Sequence, residues 1–394
     1  MNKRTFMVLC LGALAIFLVA CGGGDATQAV ADLEAQVSSL QDELAAAQAA
    51  ADEAMAAADE AMAEADEAGE AMPEVGADTL ATVRERGTLL CGNGAGASPG
   101  FAFIGEDGSW EGFNVDFCKV FAVAVLGDAE AFESVVTTGT TRFPILQGGE
   151  ADVLSNNTTW TFSRDTALGF DFVPTVFYDG QGMMVRADSG IETLADLDGG
   201  SVCVATGTTT EKNLADVFRQ LDIDYEAVVF EDTGDVTRSA FEEGRCDGFT
   251  TDTSALVGSL VLFEDAASVK ILPQVMSKEP LGPLVRHGDD NWFDIIKWSV
   301  NCTIQAEELG ITMANAEEML GSDNPAILNT LGVEGDLGQA LGLNNDFCFQ
   351  IVSTMGNYGE IFDRHLGPET PFNLSRGVNA QWQDGGLLYS PPFR

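Results

Sequence analysis

The chain has 394 residues, with 62 Asp and Glu against 19 Lys and Arg, and a formal net charge of −43. Residues 25–78 hold 15 of the acidic residues and no basic one, and Lys3 and Arg4 precede them, so residues 79–394 alone carry −30. A surface of that sign repels phosphate backbones and argues against nucleic acid as a partner, while the length suggests two or three domains.

The N-terminus MNKRTFMVLCLGALAIFLVAC puts Lys3 and Arg4 before an apolar run too short for a comfortable membrane span, the pattern of a signal peptide. The run ends in Leu18-Val19-Ala20-Cys21 and resembles the lipobox of bacterial lipoproteins, which makes Cys21 the expected lipidated residue; an ordinary secretory cleavage site is the alternative. No later stretch reaches about 18 uninterrupted apolar residues. A helix-forming tether rich in Ala, Glu and Asp follows. Val30, Leu33, Val37, Leu40 and Leu44 trace a seam of threes and fours that suits a short coiled coil and stalk self-association. Repelling charge in ADEAMAAADEAMAEADEA equally suits a disordered spacer. Pro73 and Gly76 end the segment.

From Thr79 onward short apolar runs alternate with helical patterns: TLLCGN, then FNVDFCKVFAVAVLG, FPILQGGEADVLS and GSVCVATG. Such alternation predicts an α/β fold with a mainly parallel sheet. The strand-turn-helix pattern recurs in SVCVATGTTTEKNLADVFRQL and again around GRCDGFTTD, so two α/β lobes are expected, with ligand beyond the carboxyl ends of the strands. Cys10 leaves with the signal, which leaves Cys91, Cys118, Cys203, Cys246, Cys302 and Cys348. An even number in an exported chain favours disulfides. No CxxC spacing occurs and His287 and His365 stand apart, so no metal site is expected. We expect sequence neighbours to pair: 91 with 118, 203 with 246, and 302 with 348.

GFNVDFCKVFAVAVLGD, TRFPILQGGEADVLSNNTTWTFSRD, FYDGQGMMVR, VCVATGTTTEKNLAD, GRCDGFTTD and ILPQVMSKEPLGPLVRHGDDNWFDI, in this order, resemble the periplasmic binding proteins of polar amino acid ABC transporters, and within them the general L-amino-acid-binding proteins. The resemblance implies a two-lobed type 2 periplasmic-binding-protein (Venus flytrap) fold with two crossover hinge strands. It also implies capture of a free, polar L-amino acid for permease subunits of an importer, on the outer face of the membrane or in the periplasm. The expected division is signal 1–20, tether 21–78, first lobe 79–178, second lobe 179–277, and a return to the first lobe with C-terminal helices over 278–394.

A free amino acid presents a carboxylate and an ammonium, and a site removed from water must neutralise both. Arg164 in TWTFSRD matches the family's carboxylate-binding arginine, whose planar fork suits that group; a surface ion pair with Asp165 is its plainer reading. Thr159 and Asn157 match positions that offer groups to the same ligand. Thr206, Thr208 and Thr209 lie before a helix start, where free N–H groups meet anions or where threonine simply caps. Asp252, at a strand end, matches the acidic residue for the ammonium, with Asp247 as competitor. Phe101 is expected either to cover the ligand's aliphatic part or to pack in the core.

Gly96-Ala97-Ser98-Pro99-Gly100 has the GxSxG spacing of hydrolases without the helix that must follow. No GxxxxGK[ST] is present, so nucleotide hydrolysis belongs to a partner subunit. No cofactor is expected. An enzyme on the same fold, such as a dehydratase, would need a general acid or base in the cleft. A sensory receptor domain is a further alternative.

Overall fold

The computed structural model describes residues 78–394, apart from 95, 96, 106 and 232–234. The expected signal peptide, Cys21 and the tether up to residue 77 lie outside the described residues. Asp78 caps α1 (Thr79–Arg86), its side chain accepting from the Ala81 N–H, and Gly87 ends it at φ 72°, a conformation that glycine adopts without a Cβ penalty.

The first lobe then takes β1 (Leu89–Asn93), a ribbon of β2 (Ala97–Ser98), β3 (Ala102–Ile104) and β4 (Trp110–Glu111), α2 (Phe113–Leu126), β5 (Phe132–Val136), α3 (Arg142–Gln147), β6 (Val153–Leu154), α4 (Phe162–Thr166) and β7 (Phe170–Phe172). Helix α2 is apolar on almost every side and buries twelve of its 14 residues, which makes it a core helix rather than an amphipathic surface one. The chain leaves through β8 (Phe177–Asp179) and builds the second lobe from β9 (Gln181–Arg186), β10 (Gly200–Ala205), α5 (Thr209–Gln220), β11 (Tyr225–Phe230), α6 (Asp235–Glu242), β12 (Gly248–Asp252), α7 (Thr253–Leu260) and β13 (Val269–Ile271). It returns through β14 (Glu279–Leu281) to β15 (Leu284–Arg286) and α8 (Asp290–Glu308). Short helices α9 (Ala316–Met319), α10 (Pro325–Thr330) and α11 (Leu337–Ala340) lead to α12 (Phe347–Met355) and α13 (Tyr358–His365). Both α12 and α8 pack on α2.

Each lobe is centred on a five-stranded sheet, in the orders β5-β1-β6-β15-β7 and β11-β10-β12-β9-β13. The sheets are more mixed than the alternation suggested. β1 runs parallel to β5 and β6, and β10 to β11 and β12, but β15 and β9 run antiparallel to their neighbours. The crossings impose this: β9 enters from the cleft edge, so Gln181 at its start faces Asp252 at the end of β12. The crossing strands β8 and β14 pair with each other, Asp179 opposite Glu279.

Alternation along each strand sends side chains to opposite faces. Met183, Val185, Val202 and Val204 join Leu214 and Phe218 of α5 on one face, whereas Met184, Cys203 and Phe249 join Phe241 of α6 and Leu256 of α7 on the other. Disulfides join Cys91 to Cys118, Cys203 to Cys246, and Cys302 to Cys348. The last ties α8 to α12 within the returning segment, and both helices pack on α2 and complete the core of the first lobe.

Candidate functional site

Parallel strands in each lobe end facing the other lobe, and the loops after them line one shared cavity. Asn114, Thr137, Arg142, Asn156 and Asn157 come from the first lobe; Thr208, Thr209, Thr210, Thr250 and Asp252 come from the second. The walls meet closely. A Cβ on Gly139 would fall 2.5 Å from the carbonyl oxygen of Thr206 across the cleft, so glycine is required for this approach.

Asp252 ends β12 and precedes α7 without capping it through its side chain. Burial, together with repulsion from Asp179 and Glu279, holds its carboxyl well above the usual carboxylate range, against the pull of Arg142 and Arg164. A carboxylate on a cavity wall, destabilised by two other acids, is poised for an external cation. An ammonium arriving there favours the ionised form, so we predict that amino-acid binding releases a proton and tightens as pH rises through the Asp252 titration. Calorimetry in two buffers of different ionisation heat checks this; proton uptake would contradict it.

The cavity's cation is Arg142, at the start of α3. Its guanidinium makes only long hydrogen bonds, Nη1 to Thr158 Oγ1 (3.2 Å) and Asn157 O (3.5 Å), and Nη2 to Gly207 O of the second lobe (3.4 Å). Its Nε is buried without a partner. Burial, with repulsion from Arg164, brings its pKa down to about 9, so it is still charged near neutral pH. Opposite it, helix α5 begins on the cavity wall. Thr208 caps that helix, accepting from the Glu211 N–H (3.1 Å) and donating to Ala205 O (2.7 Å), while its side chain also lines the cavity. Among the described residues nothing accepts from the backbone N–H groups of Thr209 and Thr210. An unpaired helix N-terminus and an under-bonded guanidinium together make an anion site.

Of the residues singled out from sequence, Asn157, Thr208, Thr209 and Asp252 line this cavity, whereas Arg164, Thr159, Thr206 and Phe101 do not. Arg164 is buried beside it, Nη1 donating to Thr159 O (2.8 Å) and the guanidinium lying 5.2 Å from the Phe143 ring, whose centre is 4.9 Å from that of Arg142. Burial lowers its pKa to about 10 against the attraction of Glu279 and Asp252, so its field reaches the cavity's acids. It makes no ion pair with Asp165, which accepts instead from the Trp160 indole (2.5 Å). Thr206 turns its hydroxyl to Glu211 (3.2 Å), stabilising the turn before α5. Asp247, the competitor of Asp252, binds Ser201 and Arg186 at the far end of its strand.

Of the two readings of Phe101, its surroundings favour core packing. It is 1% exposed, edge-on to Phe177 (5.2 Å) and Phe113 (6.1 Å), because the turn between β2 and β3 folds it inward onto the start of α2. Phe101→Ala should therefore cost about 3–5 kcal/mol of stability and leave ligand affinity unchanged, as a urea melt and a titration would read; weakened binding in a folded variant would restore the contact role.

Two acids escaped the sequence reading. Asp179 on β8 accepts from the N–H and hydroxyl of Ser254 at the start of α7. Glu279 on β14 accepts from Thr159, Thr209, Asn213 and Ser277. Both lie in segments that carry the family resemblance, FYDGQGMMVR and ILPQVMSKEPLGP, but nothing local singles them out, since their setting comes from the pairing of β8 with β14.

With this geometry in view, the comparisons with known proteins agree. Residues 93–312 match the bacterial extracellular solute-binding proteins, family 3. The chain belongs to this family. It is 50% identical over 319 residues to the glutamate/glutamine/aspartate/asparagine-binding protein BztA of Rhodobacter capsulatus, covering 81% of this chain and 94% of that one. It is 47% identical over 333 residues to the general L-amino acid-binding periplasmic protein AapJ of Rhizobium johnstonii, covering 83% and 97%. A solved periplasmic binding protein of an ABC transporter from Brucella ovis, with glutathione bound, superposes with a TM-score of 0.78 at 46% identity, covering 81% of this chain and all of the other. These relatives are solute-binding proteins, and the two-lobed fold is that of the family.

Proposed function

We propose that this family member captures amino acids in the interlobe cavity and delivers them to the permease of an ABC importer. The observation that carries the reading is one cavity in which, among the described residues, Asp252 of the second lobe makes no direct ion pair, Arg142 of the first lobe makes only long hydrogen bonds to neutral groups, and the α5 N-terminus keeps two amides unpaired. The ligand's ammonium goes to Asp252. Its carboxylates go to the α5 amides and to the field of Arg142 and Arg164. Binding groups on both lobes give the closed state its differential affinity, and the permease reads that closure.

Arg142, under-bonded on the cavity wall, and the unpaired amides at the start of α5 favour ligands with a second polar or anionic end. That agrees with the glutamate, glutamine, aspartate and asparagine of one relative's name and with the broad range of another. Glutathione, bound in the Brucella protein, carries a free amino-acid head on its γ-glutamyl residue and fits the same reading. The chain performs no chemistry on its ligand in this account, and a bound amino acid incubated with it should be recovered unchanged. We further propose lipid attachment at Cys21 on the outer face of the membrane, tested by release of Cys21→Ala into the soluble fraction.

A thermal-shift screen of the twenty amino acids and glutathione tests the reading. At about 100 times Kd a ligand adds roughly 2.7 kcal/mol, a shift of roughly 4 °C for a domain of this size. Glutamate, aspartate and their amides should produce it; no shift from any of them would reject the function.

A further inference from the structure

Glu279 sits on β14 where the returning chain passes between the lobes, and it is 1% exposed. Its Oε2 accepts from the hydroxyls of Thr159 and Thr209 (3.0 Å), and its Oε1 from Asn213 Nδ2 (2.7 Å) and Ser277 Oγ. Thr159 belongs to the first lobe, whereas Thr209 and Asn213 belong to α5 of the second. The two threonine hydroxyls lie 3.2 Å apart. Thr209 also lines the cavity.

We propose that Glu279 is the positioning residue that sets the closed geometry of the site, clamping Thr159 of one lobe and the first turn of α5 of the other from behind the ligand. This rests on the amino-acid-binding reading given above. Charge-assisted hydrogen bonds are about twice as strong as neutral ones, and all four donors here converge on one carboxylate. Glu279 takes hydroxyl and amide side chains and leaves the backbone N–H groups of Thr209 and Thr210 for the ligand. Its negative charge beside a helix N-terminus also steadies that helix. Separation of the lobes must part Thr159 from Thr209, so the carboxylate loses contacts on one side. Glu279 and the ligand therefore favour the same closed arrangement, which couples them.

The test compares wild type, Glu279→Gln, Thr159→Val and the double variant, reading the Kd for L-glutamate by calorimetry and the ligand-induced fall in radius of gyration by small-angle X-ray scattering. Glutamine keeps the size but turns donors toward donors. Glu279→Gln should bind roughly ten-fold or more weakly and compact less at saturation, and adding Thr159→Val should weaken binding no further. Full compaction with unchanged affinity, or additive losses, would overturn the proposal. Should Glu279→Gln fail to fold, Thr159→Val alone decides, since it keeps the carboxylate and removes one arm of the clamp; unchanged affinity and compaction would then count against it. A wild type that binds no amino acid sinks the functional reading and this proposal together, whereas a binding wild type with unaffected variants sinks this proposal alone.

Discussion

Asp252→Asn will abolish useful amino-acid binding and at the same time raise the melting temperature of the ligand-free protein at neutral pH. The two effects have one cause. The folded carboxyl titrates above its unfolded value because it is buried beside Asp179 and Glu279. Between the unfolded and folded pKa the native state holds the extra proton, so stability falls as pH rises through that window, and the loss is complete above the folded pKa. At neutral pH the charge is thus a liability that the ligand's ammonium offsets. Removing it relieves the free protein, while the ammonium then enters a buried site without its counter-charge. Truncating one partner of a buried pair costs about 2–5 kcal/mol, a loss of roughly 30- to 4,000-fold in affinity. Calorimetric titration and a melt of the ligand-free variant read both parts. Retained affinity would remove Asp252 from the site, and a lower melting temperature would contradict its electrostatic account.

The second large effect belongs to Arg142→Met. Methionine replaces the aliphatic stem with similar bulk and removes a buried guanidinium that makes no ion pair among the described residues and whose Nε has no partner. The ligand-free protein should again gain stability, since replacing buried charge by apolar volume is commonly neutral or favourable. Binding should separate by ligand charge. Glutamate loses a charge pair of about 2–5 kcal/mol, whereas glutamine loses a hydrogen bond to a charged donor, about 1.5–3 kcal/mol. The ratio of glutamate to glutamine affinity should therefore fall in the variant; an unchanged ratio would place the second anionic group elsewhere.

What the sequence made legible followed from local chemistry. The threonines before α5 stood out because a strand, a glycine turn and a helix start are all local signals, whereas Asp252, at a strand end, was legible through its match to the family's acidic residue. Arg142 was passed over. In TRFPILQGG it reads as the first residue of an ordinary helix, and only the approach of Gly207 from the second lobe turns that helix start into a cavity wall. Arg164 was legible by resemblance, yet it lies behind the wall, where both it and Arg142 pack against the Phe143 ring. Glu279 and Asp179 were unreadable for a further reason. Their roles arise from a pairing across 100 positions of sequence (179 to 279), which no periodicity encodes. Phe101 was ambiguous in the sequence because a loop aromatic serves packing or ligand equally well, and the core of α2 decided it. The antiparallel strands were missed because alternation reports which elements exist, not the direction from which a crossing chain enters.

The most direct measurement is a crystal structure of the protein grown with L-glutamate. The account predicts density between the lobes, with the ammonium within hydrogen-bonding distance of Asp252 and a carboxylate facing the α5 amides and the arginine pair. Glutamate bound outside this cavity, or with its ammonium turned away from Asp252, would contradict it.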